Sequence, residues 1–183
     1  MKIPHVLLLV TSPFVATWAL AQSISPAMQA KLDAKRNEII EWAANPVIVN
    51  EVKNQNSLGL PPALAAMTQD QWKVLSVLDP VVRGLVKNQA GQFLKSKCDD
   101  LVSLSFLSDA KGCKVAYSAK TSNWCHKGMA KHDDPMVGKC WQGPIELNAA
   151  SGKQQVQIAV PVLEGRNPIG SLVVGLALQK IGD

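Results

Sequence analysis

The chain has 183 residues, 19 Lys and Arg against 14 Asp and Glu, a net charge of +5, and 47% hydrophobic residues. That is one domain's worth of residues, enough to bury a core without staples. The basic residues are scattered rather than massed in a run, which argues against nucleic-acid binding and for solubility with some attraction for anions.

Residues 1–21 read as a secretory signal peptide. Lys2 supplies the positive end, an apolar run follows from Val6 to Leu20, and Ala19-Leu20-Ala21 fits the small-x-small cleavage rule, with Gln22 the first mature residue. Pro13 interrupts the run, which is short for a membrane span of about 20 residues. The other reading is an uncleaved anchor. Export places the mature protein in the periplasm or outside the cell, where disulfides persist.

Residues 22–79 read as a helical region. Ser25 is an N-cap with Pro26 at the first helical position, and Met28, Leu32, Ile39, Ile40 and Ala43 recur at helical spacing. This amphipathic helix, from about Ser25 to Asn45, offers a homodimer face or simply packs on its own domain. Pro46 breaks or kinks it, a shorter helix continues through Val49 and Val52, and "NSLGLPPAL" is a loop. Thr68 with Gln71 forms a capping-box pattern, and Asp79-Pro80 starts a helix with Val82, Leu85 and Val86 on one face.

Residues 80–183 change period. "LVSLSFLS" (101–108) and "CKVAYSA" (113–119) are strands around the turn "DAKG" (109–112), a hairpin signal. An irregular stretch, 121–141, holds Cys125, Cys140, His126, His132, Met129 and Met136. Then come "WQGPIELN", the alternation of Val156, Ile158, Val160 and Val162, the turn "EGRN", and the nearly continuous apolar run "IGSLVVGLAL", which reads as a central strand. Helices segregated against an antiparallel-rich sheet make an α+β domain.

"FLSDAKGCKVAYSAKTSNW" followed by "VQIAVPVLEGRNPIGSLVVGLAL" resembles the extracytoplasmic PAS-like sensor domains called Cache or PDC domains. The resemblance covers about residues 80–180. Its carriers are Asp109 and Gly112 of the turn, Thr121-Ser122-Asn123-Trp124, and the final "IGSLVVG". Asn123 stands where the family commonly has Asp, and "CHKGMAKHDDPM" replaces the acidic and aromatic residues that often follow. No signalling module follows residue 183, so the sequence looks like a free-standing secreted form.

The resemblance implies N-terminal helices packed on a five-stranded PAS-like sheet, a small ligand held under the 121–141 loop, and no catalysis. Ligands of such domains are small organic acids, amino acids or amines, read out through a membrane-bound signalling partner. Carried over position by position, Tyr117, Thr121, Asn123 and Trp124 line the pocket, with Trp141 a further candidate. A small-ligand site needs an apolar wall and a few placed polar groups, and these residues supply both. Tyr117 and Trp124 equally suit a packed core.

The hairpin register places Ser108 opposite Cys113 and Cys98 opposite Asn123, with Cys113 on the order of 30 Å from that end. In the PAS-like topology that the resemblance suggests, Cys140 joins Cys98 and Cys125 there. The expected bridge is Cys125–Cys140, closing a loop of about 16 residues for roughly 3 kcal/mol; Cys98–Cys125 is the rival, and Cys113 is left over.

Sharper chemistry in the same loop has two forms. "SNWCH" lacks the first cysteine of the Cys-x-x-Cys-His haem motif, with Ser122 in its place. Cys125, His126, Met129, His132 and Met136 are a soft metal-ligand set, but their spacing matches no standard site. A periplasmic metal or haem redox protein is therefore the alternative function. No cofactor is expected on the sensor reading, and no hydrolase, zincin or P-loop pattern points to an enzyme.

Overall fold

The computed structural model describes residues 24–148 and 151–182. The signal peptide expected at 1–21 lies outside the described residues. Helix α1 (Pro26–Ala43) begins as expected, with the Ser25 side chain accepting a hydrogen bond from the Met28 amide. Pro46 breaks the helical run as expected, by starting a shorter second helix rather than by kinking the first. Asn45 caps a new helix, α2 (Pro46–Leu58), with Pro46 at its first position, where the missing N–H costs nothing. Short helices α3 (Pro62–Ala65) and α4 (Gln69–Val74) follow, the second with the Thr68–Gln71 capping box formed in both directions. Asp79 caps α5 (Pro80–Lys87) and Asn88 caps α6 (Gln89–Ser96).

The sheet is antiparallel throughout. Strands β1 (Val102–Asp109), β2 (Lys114–Tyr117), β3 (Trp141–Gln142), β5 (Gln154–Glu164) and β6 (Asn167–Ala177) lie in the order β2-β1-β6-β5-β3, and β4 (Glu146–Leu147) pairs with the start of β5. Helix α7 (Ala130–Met136) lies within the 121–141 segment, and α8 (Leu178–Gly182) closes the chain. The architecture is α+β and PAS-like, with five strands along the main path. "WQGPIELN" is two short strands rather than one because Pro144 has no amide to donate.

Two cores flank the sheet. On one face, Leu32, Ile39, Ile48, Val52 and Leu94 from α1, α2 and α6 pack against Val156, Ile158, Val160 and Val162, the alternating set of β5, and Leu172, Val174 and Leu176 of β6. At about 25 cal/mol per Å² of apolar surface removed from water, this layer is the main source of stability. On the other face, Trp72, Val82 and Leu85 meet Leu104, Phe106, Tyr117, Trp124, Ala159 and Val173. The second face, partly roofed by α7, carries the site.

The hairpin register is corrected by one residue. Ser108 faces Lys114, not Cys113, and the ladder is irregular between Leu107 and Ser108. The cause is the turn. Asp109 Oδ1 accepts from the amides of Lys111 and Cys113, and Gly112 takes φ +81°, so the turn runs one residue further than "DAKG". Strand β2 ends at Tyr117 instead of running on, and the chain doubles back. The amide of His126 donates to the Gly112 carbonyl at 2.9 Å, and Cys125 becomes the bridge partner of Cys113. The 30 Å separation expected for these two cysteines assumed a straight extension of β2, and that extension does not exist.

Candidate functional site

Helix α7 packs across β5 and β6. Between it, the 119–122 segment and the turn that carries β4 lies a cavity of about 420 Å³. Leu104, Ala119 and Leu147 line part of it, and six polar or charged residues reach it: Lys120, Thr121, Lys131, Glu146, Gln155 and Gln157. Lys131 projects from α7, donates to Gln157 Oε1 on β5, and stands 5.7 Å from the Trp141 ring. Burial lowers the Lys131 pKa, and Glu146 opposes that shift. Lys120 donates to the Trp72 carbonyl at 2.8 Å with its Nζ 4.8 Å from the Trp72 ring. On the opposite wall, Gln155 Nε2 donates to Glu146 Oε1 at 3.0 Å while its Oε1 accepts from Ser103 and Asn148. The cavity thus has a cationic side, an amide floor and one carboxylate across from the amines. That arrangement can hold a carboxylate at one end and an amine at the other.

Beside this cavity the loop covers a buried polar cluster. Lys114 is wholly buried, its Nζ 4.3 Å from the Phe106 ring, and it has no hydrogen-bond partner among the described residues. Burial, with Lys131 and Lys120 nearby, holds its pKa well below the ordinary lysine range. His126 stacks on the same Phe106 ring, centroids 4.4 Å apart, and its Nδ1 is also unpartnered among the described residues. Burial first, then Lys114, Lys131 and His132, push its pKa down to about 2. His132 is buried on α7 with Nδ1 2.8 Å from Ser171 Oγ, and burial lowers its pKa as well. Lys114 opens β2, a strand buried along its whole length, and nothing in the sequence sets this lysine apart from an exposed one.

Of the five residues expected to line a pocket, Thr121 reaches the cavity. Tyr117 and Trp124 are core. Tyr117 donates its hydroxyl to the Val82 carbonyl at 2.8 Å, and Trp124 packs on Trp72 with centroids 5.2 Å apart. Asn123 is held by Met129 and Gln69 instead, its Nδ2 3.5 Å from Met129 Sδ and its Oδ1 accepting from Gln69 Nε2 at 3.4 Å. Trp141 is half-buried against the edge of the second core. The chain reversal after Tyr117 explains the difference: it lifts Thr121 to the cavity mouth and folds Trp124 back under Trp72. Lys131, Gln157 and Glu146 were not singled out in the sequence. Their one signal is polarity on the strand and helix faces that alternate with the core set.

The soft-ligand set does not converge. Among the described residues no three His, Cys, Asp or Glu side chains stand together as a metal site. His126 is committed to Phe106, His132 to Ser171 and Met129 to Asn123. The expected Cys125–Cys140 bridge is not formed. All four thiols are free, Cys140 is exposed at the start of β3, and Cys125 lies against Cys113. A second cavity, about 410 Å³ between α2, α3 and α5, is lined mainly by apolar side chains such as Leu58, Leu64 and Leu85 and lacks convergent charges.

No protein-family model matches the chain, and no curated protein matches it. Solved structures do. The sensor domain of the Vibrio cholerae histidine kinase DctB aligns over 84% of this chain and 58% of its own, at 17% identity and TM-score 0.43. The ligand-binding domain of the Pseudomonas aeruginosa amino-acid chemoreceptor PctC, solved with GABA, aligns over 85% and 59%, at 13% identity and TM-score 0.44. The sensory domain of the Campylobacter jejuni chemoreceptor Tlp3, solved with isoleucine, aligns over 87% and 67%, at 13% identity and TM-score 0.42. The chain spans less than three-fifths of the first two. All three are described as sensor, sensory or ligand-binding domains.

Proposed function

We propose that this protein is a periplasmic or secreted binding module for a small carboxylate, an amino acid or related organic acid, and not an enzyme. The observation that carries the reading is the convergence of Lys120, Lys131, Thr121 and Gln157 on one cavity with Glu146 opposite. A carboxylate meets two ammonium groups and an amide, and an amine on the same ligand meets Glu146. The amino-acid ligands of PctC and Tlp3 are of that chemistry. Binding draws Lys131, and with it α7, onto the sheet, and a membrane-bound signalling partner reads the ordered roof. Helix α1 is the candidate dimer face.

Thermal-shift screening and calorimetry with a panel of amino acids, ω-amino acids and dicarboxylates test this. One or more members should raise the Tm, and Lys131→Ala should weaken that ligand at least about tenfold, the usual loss for a charged hydrogen-bond partner. A panel that moves nothing, or binding untouched in Lys131→Ala, overturns the assignment.

A further inference from the structure

The geometry points to a disulfide between Cys113 and Cys125, which would pin the start of the cavity roof to the β1–β2 hairpin. Three observations carry it. First, the two residues are antiparallel bridge partners. The neighbouring hydrogen bond, from the His126 amide to the Gly112 carbonyl at 2.9 Å, identifies them as a non-hydrogen-bonded pair. Such pairs hold their Cα atoms about 4.5 Å apart, inside the range that a disulfide spans. Second, the backbones are brought together by a residue that nothing else could replace. A Cβ on Gly112 would lie 2.5 Å from the Lys127 amide nitrogen, and its φ of +81° suits glycine. Third, the thiols are near enough to interact: Cys125 Sγ lies at the hairpin tip, 3.4 Å from the Lys111 carbonyl, and Cys125 helps to raise the Cys113 pKa. Cys98 and Cys140 are exposed, and among the described residues neither is the bridge partner of another cysteine.

The oxidant is an external low-molecular-weight disulfide. The Cys125 thiolate attacks one of its sulfurs, forming a mixed disulfide and releasing one thiol. Cys113 then gives its proton to solvent and attacks Cys125 Sγ, releasing the second thiol. Two protein thiols are oxidised and one disulfide is reduced to two thiols. Cys125 leads because burial, Asp109 and Cys125 itself push the Cys113 thiol up to about 12, which leaves little thiolate there until the mixed disulfide forms.

The test uses the full chain, purified reduced, exposed to oxidised glutathione, alkylated and digested with trypsin without reduction. The four cysteines fall on four different peptides, 98–111, 112–114, 121–127 and 140–153. A linked 112–114/121–127 pair, about two mass units lighter than the sum of its reduced halves, is expected. Cys113→Ser should instead retain glutathione on Cys125. Reduction should lower the Tm of the oxidised wild-type protein by about 5–10 °C, the scale set by loop closure, and leave Cys113→Ser unmoved. A link from Cys125 to Cys98 or Cys140, or a wild-type protein that keeps glutathione on Cys125 with Cys113 free, overturns the proposal. Ligand binding is not part of the readout, so the bond and the binding function fail or stand separately.

Discussion

At the scale of the residue, Lys114 is the side chain most at odds with its surroundings. It is buried among Phe106, Trp72 and His126 without a hydrogen-bond partner among the described residues. An unpaired amine in such a place costs stability, because the unfolded chain keeps it protonated and hydrated while the folded chain does not. The sign follows from its lowered pKa. The folded state binds this proton less tightly than the unfolded state, which holds it up to about pH 10.5, so folding is penalised below that pH and the penalty shrinks as pH rises toward it. Lys114→Met keeps the length and removes the charge. It should raise the urea midpoint at pH 7 by the equivalent of about 1–3 kcal/mol, with a smaller gain at pH 10. A destabilised variant would mean that the amine has a partner in solution. The same residue marks the limit of sequence reading at the site. Tyr117, Thr121 and Trp124 were singled out because their motif is local, yet of the three Thr121 lines the cavity while Tyr117 and Trp124 are core. Lys131, Gln157 and Glu146 come from three separate elements, and nothing local shows that the fold makes them neighbours.

At the scale of the element, the fold was largely legible. Ser25-Pro26, Thr68 with Gln71, and Asp79-Pro80 start helices where capping chemistry says they should. The period-2 set on β5 shares one face as read, and that face meets the helix layer. What failed was the end of β2. Strand propensity through Ser118 and Ala119 does not reveal that the chain reverses, because the reversal depends on tertiary pairing of 125–126 with 112–113. Helix α7 was missed for a related reason: with Pro135 inside it and few apolar residues, it is held by packing on β5 and β6 rather than by its own pattern. The tightest joint between elements is Gly170 on β6. A Cβ there would collide with the Ser108 carbonyl oxygen and lie 2.9 Å from Val52 Cγ1 of α2. Strand β1 and helix α2 close on it from two sides. Gly170→Ala should therefore cost about 2 kcal/mol or more by overpacking, read as a lower urea midpoint with an unchanged m-value, whereas Gly84→Ala, with open space around it, should not.

At the scale of the whole molecule, the two faces of the sheet respond differently to pH. The helix face is apolar, whereas the roofed face buries His126 and His132 as neutral rings beside Lys114 and Lys131. In the unfolded chain each histidine takes up a proton below about pH 6.5; in the folded chain His126 resists protonation down to about 2. The depressed pKa means that the neutral rings stabilise the fold fully above pH 6.5 and progressively less as pH falls. Each histidine that stays neutral when folded contributes a slope approaching 1.4 kcal/mol per pH unit. Between pH 7 and pH 5 the loss from His126 alone should be about 2 kcal/mol, before carboxylates titrate. His126→Phe keeps an aromatic ring stacked on Phe106 and removes the titration. Its Tm should fall more gently than that of the wild type across the same window, and the two curves should converge least at low pH. Parallel curves would place the acid sensitivity on His132 or on residues outside this face. The outcome bears on the roof as well, since a protonated His126 would place a charge beside Lys131 in the segment that covers this face of the sheet.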